Sequence, residues 1–187
     1  MALFTYSTQN MYAECDMAPF IARYVDVPRF LKCCKRCPNY NKKWSCPEFD
    51  FAPLAFWKSF SKIKLYGVKM TLDAAMRGLK YEGDIYYFVK SMIAAEKGRL
   101  MQQLWQLERE NKGSFCLFAG DCQLCADCAK KRGLPCRNPN LMRYSIESIG
   151  GNVQAVTEEL LGTKILWVGK DNLMPEYFTL VSALLLK

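Results

Sequence analysis

The chain has 187 residues, 51% of them hydrophobic and 13% aromatic, which is enough for one buried core and excludes a disordered chain. Lysine and arginine number 26 against 18 acidic residues, a formal charge of +8, with ten cysteines and no histidine. The missing histidine excludes Cys2His2 zinc, imidazole acid–base chemistry and Ser-His or Cys-His nucleophilic pairs.

Residues 1–17 show no strong period and read as a loose lead-in containing Cys15. The β-rich stretch 20–27, stopped by Pro28, predicts a short strand. Residues 32–47 hold a first cysteine group, Cys33, Cys34, Cys37 and Cys46, in a loop punctuated by Pro38, Asn39, Asn41 and Pro47. Neighbouring side chains of extended backbone point opposite ways, so Cys33 and Cys34 are not expected to bind one ion together. Residues 53–62 read as a helix with Leu54, Trp57 and Phe60 along one side. Residues 64–72 read as a strand in which Leu65, Val68, Met70 and Tyr66 share burial, and residues 84–90 as another. Ser91 is the expected N-cap of the longest helix, which runs to Asn111 with Ile93, Leu100, Met101, Leu104 and Leu107 on one face and Gly113 closing it. A short strand, 115–119, leads into a second cysteine group. After that group, 141–149 and 153–161 read as helices, and 165–168 and 178–186 as strands. Irregular alternation predicts an α+β fold: a mixed or antiparallel sheet, packed helices and two cysteine-rich metal-binding loops. With no internal repeat and no Gly/Ser linker, residues 1–187 read as one domain.

The second group dominates the chain. Cys122, Cys125 and Cys128 recur every third residue, and Cys136 follows a Gly-Leu-Pro turn. A short loop with this spacing aims three sulfurs at one point, the way three corners of a cubane iron–sulfur cluster are held. Zinc sites more often use two separated cysteine pairs, so zinc is the alternative. Four cysteines interleaved with Asp and Lys make a poor core pattern. Lys32, Lys35, Arg36, Lys42 and Lys43 surround the first group, and Lys130, Lys131, Arg132 and Arg137 the second. Such cations stabilise thiolates. Each four-thiolate site carries a net charge near −2, so two sites would leave the protein near +4. The basic balance therefore reads as local compensation first and as a nucleic-acid footprint second. No apolar run reaches the roughly 18 residues of a membrane span, and the first residues lack a signal-peptide pattern. The expectation is a cytoplasmic protein whose cysteines bind metal in preference to forming disulfides.

Two motifs carry a resemblance. The first is Cys-x3-Cys-Pro-Asn-Tyr-x3-Trp-Ser-Cys-Pro, here Cys33, Cys37 and Cys46. The second is Cys-x2-Cys-x2-Cys, here Cys122, Cys125 and Cys128, followed by Cys-Arg-x-Pro-x3-Arg-Tyr-Ser-x-Glu-x2-Gly from Cys136 through Gly150. Together they resemble a prokaryotic family of predicted metal-binding proteins of unknown function, over about residues 24–186. The resemblance implies a metal or iron–sulfur protein and matches Cys33, Cys37 and Cys46 in the first group. Three positions depart from the family pattern: Asn41 stands where Gly is usual, Glu48 where a second Pro is usual, and Asn138 where His is frequent. Any role of that histidine is lost here.

Four cysteines in the second group and three family-matched ones in the first allow two arrangements. Either each group holds its own site, the first with an open or non-cysteine position, or Cys46 and Cys136 exchange between groups as outlying ligands do in two-cluster ferredoxins. Cys15, Cys34 and Cys116 are spare, with Cys34 first in line as an extra ligand. Arg137 is expected to touch the cofactor, Tyr40 and Trp44 to shield the sulfurs, and Arg143 and Glu147 to form an ordinary i,i+4 surface pair. The reading that results is an iron–sulfur protein with one or two [4Fe–4S] clusters, acting in electron transfer or as a redox accessory to a partner protein. Its rivals are a zinc-stabilised module with a basic surface contacting nucleic acid, and an enzyme acting at an open cluster position.

Overall fold

The computed structural model describes residues 4–187. Four strands, β1 (Tyr6–Asp16), β2 (Lys62–Leu72), β3 (Phe115–Leu117) and β4 (Tyr177–Leu186), pair antiparallel in the order β1-β2-β4-β3. Five α-helices accompany them: α1 (Met17–Tyr24), α2 (Val27–Lys35), α3 (Pro53–Lys58), α4 (Gly83–Glu110) and α5 (Val153–Leu160). The fold is α+β with an antiparallel sheet, as the sequence led us to expect.

Both faces of the sheet are covered. Alternation along β2 sends Ile63 and Leu65 to the face packed by α1, α3 and α5, where Phe20, Trp57 and Val156 are fully buried. Val68, Met70 and Leu72 turn to the other face, against Val89, Met92, Leu100 and Leu104 of α4. The burial expected to be common to Leu65, Val68 and Met70 is thus divided between two cores.

Several local expectations are corrected. The lead-in is an eleven-residue edge strand over most of its length, pairing with β2 from Tyr6↔Leu72 to Asp16↔Lys62; residues 1–3 lie outside the described residues. Its polar run Ser7-Thr8-Gln9-Asn10 hid it, because only one face of an edge strand needs apolar residues. The strand expected at 20–27 is helix. Met17, Phe20 and Tyr24 recur at helical spacing and are buried together, and Pro28 sits in the first turn of α2 instead of ending a strand. Asp26 caps α2 by accepting from the Arg29 N–H at 3.0 Å. The strand expected at 84–90 and the cap at Ser91 both dissolve into α4. Ile85, Phe88, Val89, Met92 and Ile93 form one helical stripe against the second core, which outweighs the β-propensity of Tyr-Tyr-Phe-Val. Residues 141–149 are irregular apart from a 3-10 turn at Glu147–Ile149. Residues 165–168 pair with no strand among the described residues, and Trp167 is exposed.

The first cysteine segment runs from α2 to α3 and the second follows β3, and an aromatic cluster anchors both. Phe49 and Phe51 follow the first group, Phe56 lies on α3, Phe115 on β3, and Tyr144 follows the second group. Phe49 and Phe51 lie 5.0 and 5.2 Å from Tyr144, ring centre to ring centre, and Phe56 lies 5.2 Å from Phe115. Both cysteine segments therefore dock on one apolar platform.

Candidate metal centre

The first group begins on a helix. Val27, Phe30, Leu31 and Cys34 recur at i, i+3, i+4 and i+7 and form the half-buried face of α2, while Arg29, Lys32 and Cys33 face solvent. The sequence expectation placed Cys33 and Cys34 on extended backbone; the helix separates them instead by about 100°. After Cys34 the chain turns, with Cys37 N–H donating to Cys34 C=O at 2.9 Å, and Cys46 returns buried from the following loop. A cavity of about 210 Å³ opens here, lined by Cys34, Cys37, Cys46, Tyr40, Asp121 and Glu147 among others. Cys33 lies outside it, with the Arg36 guanidinium 4.0 Å from its sulfur. Asn41, at the position where the family usually has Gly, adopts φ +51°, a left-handed conformation that Asn tolerates better than other side-chain-bearing residues.

Cys122, Cys125, Cys128 and Cys136 line a second space together with Arg137 and Trp44. It is narrow, about 20 Å³, and beside it lies a depression of about 320 Å³ that shares Trp44, Cys136 and Met142. Trp44 is held over this group by its indole N–H, which donates to Leu134 C=O at 3.1 Å. Asn138 Nδ2 donates to Cys125 Sγ at 3.2 Å, so the residue that replaces the frequent histidine supplies an N–H to a candidate ligand. Each group keeps its own outlying cysteine, Cys46 in the first cavity and Cys136 in the second. Among the described residues, no three Cys, Asp or Glu side chains close around a point as ligands of one ion do.

Polar contacts bind the two groups to each other. Cys122 N–H donates to Ser45 Oγ at 3.0 Å, one residue from Cys46. Lys43 pairs with the Asp121 carboxylate and donates to Cys122 C=O at 3.3 Å. Lys97, reaching from the buried side of α4, donates to Asp121 C=O at 2.6 Å. Lys130, expected beside the second group, instead donates to Cys46 C=O at 3.3 Å and Glu48 C=O at 3.0 Å. Lys131 and Arg132 pair with Asp127.

Burial governs the titration of these groups. It pushes the Cys46 and Cys122 thiols up, and Cys34 to about 11, where the charges of Cys46 and Cys37 add to the effect. Burial also lowers the Lys97 ammonium. Lys43 moves the other way: burial acts against its charge, but the hydrogen bond to Asp121 raises it overall. The Glu147 carboxyl is pushed up by burial. Sulfur must lose its proton to bind metal, so loading either group releases protons and is favoured as pH rises.

The expected Arg143–Glu147 pair does not form. Residues 141–146 are not helical, and Arg143 turns to α4, where Nε donates to Glu108 Oε2 at 2.9 Å and Nη2 meets the other oxygen. Arg143 also donates from Nη1 to Asn140 C=O at 2.9 Å and Met142 C=O at 2.8 Å, which fixes the exit of the second cysteine segment. Asp121, Ser45 and Lys97 were not singled out from the sequence, and Asn138 was noted only as a departure from the family pattern. Asp121 sits next to Cys122 and Ser45 next to Cys46, a proximity the sequence did offer, whereas nothing local marks Lys97.

No curated protein and no solved structure matches the chain. A family model described as a predicted metal-binding protein (DUF2284) matches residues 24–186, which takes in both cysteine groups and the segment that links them. With four cysteines around one space, three around another and the family's pattern running through both, the chain belongs to the DUF2284 family of predicted metal-binding proteins.

Proposed function

We propose that the protein is a cytoplasmic iron–sulfur protein, its principal [4Fe–4S] site formed by Cys122, Cys125, Cys128 and Cys136, and that it serves electron transfer or acts as a redox accessory to a partner protein. One observation carries this reading: a closely spaced Cys-x2-Cys-x2-Cys run and its outlying cysteine line a single space. The donor set fits the group, being all-sulfur, with Asn138 N–H directed at Cys125 and Arg137 in the wall. A bound cluster would supply one-electron transfer. The chain's own residues bind its irons through sulfur, balance its negative charge and keep water from the sulfurs through Trp44. A four-iron core is larger than the narrow space, so loading would require the cysteine segment to open; the adjoining depression shares Trp44, Cys136 and Met142 with that space.

The narrowness of that space favours a second reading, a single zinc ion stabilising a module whose formal charge of +8 contacts nucleic acid. Anaerobic purification followed by iron, zinc and sulfide analysis of one sample separates the two. Iron and sulfide in equal amounts, about four or eight of each per chain, support the cluster. Stoichiometric zinc without sulfide overturns it and promotes the zinc module, for which binding to RNA or DNA should weaken steeply with salt.

A further inference from the structure

We infer that the first cysteine group is a separate three-sulfur cluster site formed by Cys34, Cys37 and Cys46, with Cys33 outside it and a fourth corner that no cysteine fills. This rests on the reading that the protein takes up iron–sulfur clusters, and it changes the ligand set that the cysteine spacing alone suggests.

Helix α2 sets the direction of Cys34. Its half-buried face runs through Val27, Phe30 and Leu31 to Cys34, so the face that sets Val27 against Gly150 also directs the Cys34 sulfur at the Glu147 carbonyl. Cys33 falls one residue off that face; it is exposed, as Cys37 is, but unlike Cys37 it does not line the cavity. That direction of Cys34 is held from outside the helix as well. Asp26 N–H donates to Gly150 C=O at 2.9 Å, and Cys34 Sγ lies 4.0 Å from Glu147 C=O, so α2 is docked at both ends on the 147–150 turn. Rotating α2 to bring Cys33 inward would expose that apolar face and undock the helix.

Cys37 lies one turn beyond Cys34 and is tied to it by a backbone hydrogen bond, and buried Cys46 closes the third side. All three cysteines line the same cavity of about 210 Å³, roughly ten times the space between the other four, although among the described residues their side chains do not already close around one point. The remaining wall is oxygen: Tyr40, Asp121 and Glu147. The Asp121 carboxylate is already engaged by Lys43 and Asn39, whereas Glu147 makes no ion pair among the described residues. A cluster held here has three cysteine corners, and its fourth faces the Glu147 side of the cavity, where a small exogenous donor can bind.

The test uses the full chain, reconstituted anaerobically with iron and sulfide, as wild type and as the C33S, C34S and C125S variants. The expected result is about eight irons and eight sulfides in wild type and C33S, and a twofold drop in both C34S and C125S. Full loading of C34S, or a twofold drop in C33S instead, overturns the assignment. Wild type at about four irons with only C125S affected overturns the second site and leaves the four-cysteine site standing; no sulfide in wild type removes both. Because C34S could lose iron by unfolding, the unmutated protein supplies an independent readout. Loaded and chelator-stripped wild type are alkylated with iodoacetamide, and the labelled cysteines are located by mass spectrometry. Cys33 should be labelled equally in both states, and Cys34, Cys37 and Cys46 should gain label together on stripping. Protection of Cys33 in place of Cys34 would sink the idea. Cyanide added to the reduced protein should alter one of two cluster signals in wild type and none in C34S; an unaltered wild-type spectrum rules out the open corner.

Discussion

Asn138 and Glu108 show how single side chains shape the site. An N–H donated to a ligand sulfur stabilises negative charge there and eases reduction, so removing it would make a cluster held in the proposed site harder to reduce. Asn138→Ala should therefore lower the reduction potential in a spectroelectrochemical titration while leaving the iron content unchanged; an unchanged potential would show that the bond to Cys125 does not act on the cofactor. Glu108 anchors Arg143. Burial alone would raise its carboxyl, but the hydrogen bonds from Arg143 and the Cys116 N–H outweigh it and hold the carboxyl below its usual range. A carboxyl lowered by folding adds stability above its unfolded pKa and loses that contribution as pH falls through the folded one. Urea midpoints should fall on acidification below about pH 4.5, and more steeply in wild type than in Glu108→Gln. At neutral pH that substitution leaves a buried guanidinium without its counter-charge and should cost roughly 3–5 kcal/mol. The double variant Glu108→Leu with Arg143→Met should recover much of the loss. The cysteines could be picked out from spacing alone; the partner of Arg143 could not, because Glu108 lies 35 residues away on another element.

At the scale of elements, α2 and the 147–150 turn act as one unit. Gly150 has φ +91°, and a Cβ placed there would lie 2.7 Å from the Val27 Cα. Gly150→Ala therefore combines backbone strain with a clash against helix backbone, and should cost roughly 2–4 kcal/mol in urea denaturation. Because the displaced helix carries Cys34, this variant should also lose metal from the first group before the second. A variant destabilised without any effect on metal content would separate α2 from the site. Gly150 follows directly on the helix expected at 141–149, but its contact with α2 was invisible in the sequence. The α4 helix gives the opposite lesson. Its apolar stripe from Ile85 to Ile93 is helical in spacing, yet a run of β-formers reads as a strand until a whole sheet face is present to bury the stripe.

Across the whole molecule, two cores and one site have separate sources of stability. The sheet is buried on both faces by apolar side chains, whereas residues 118–142, apart from the buried Phe118, Ala119 and Ala129, contain little regular structure and depend largely on polar ties and on whatever the sulfurs bind. Hydrogen exchange on loaded and stripped protein should show residues 118–142 exchanging roughly tenfold faster or more after stripping, with β2 and β4 nearly unchanged. Uniform loss of protection would instead make metal part of the global folding unit. The formal charge of +8 is also redistributed by the fold: Lys43, Lys97 and Lys130 are spent on the backbone and on Asp121 around the two cysteine groups, which leaves fewer cations for an extended binding surface.

Cysteine spacing, the absence of histidine and the family motif were sufficient to mark the metal centre and its principal ligands as candidates, since ligand type and short-range spacing are local properties of the chain. Alternation and apolar runs likewise sufficed for the α+β class and for β2, β4 and α5. The edge strand β1, the helices α1 and α2, the full length of α4 and the absence of helix at 141–146 were decided by tertiary structure. In each of these segments local propensity was weak or misleading, and a distant surface determined which face could be buried. The inferred preference for Cys34 over Cys33 rests on the same kind of information: adjacent in sequence and identical in chemistry, the two differ in which side of α2 faces the 147–150 turn.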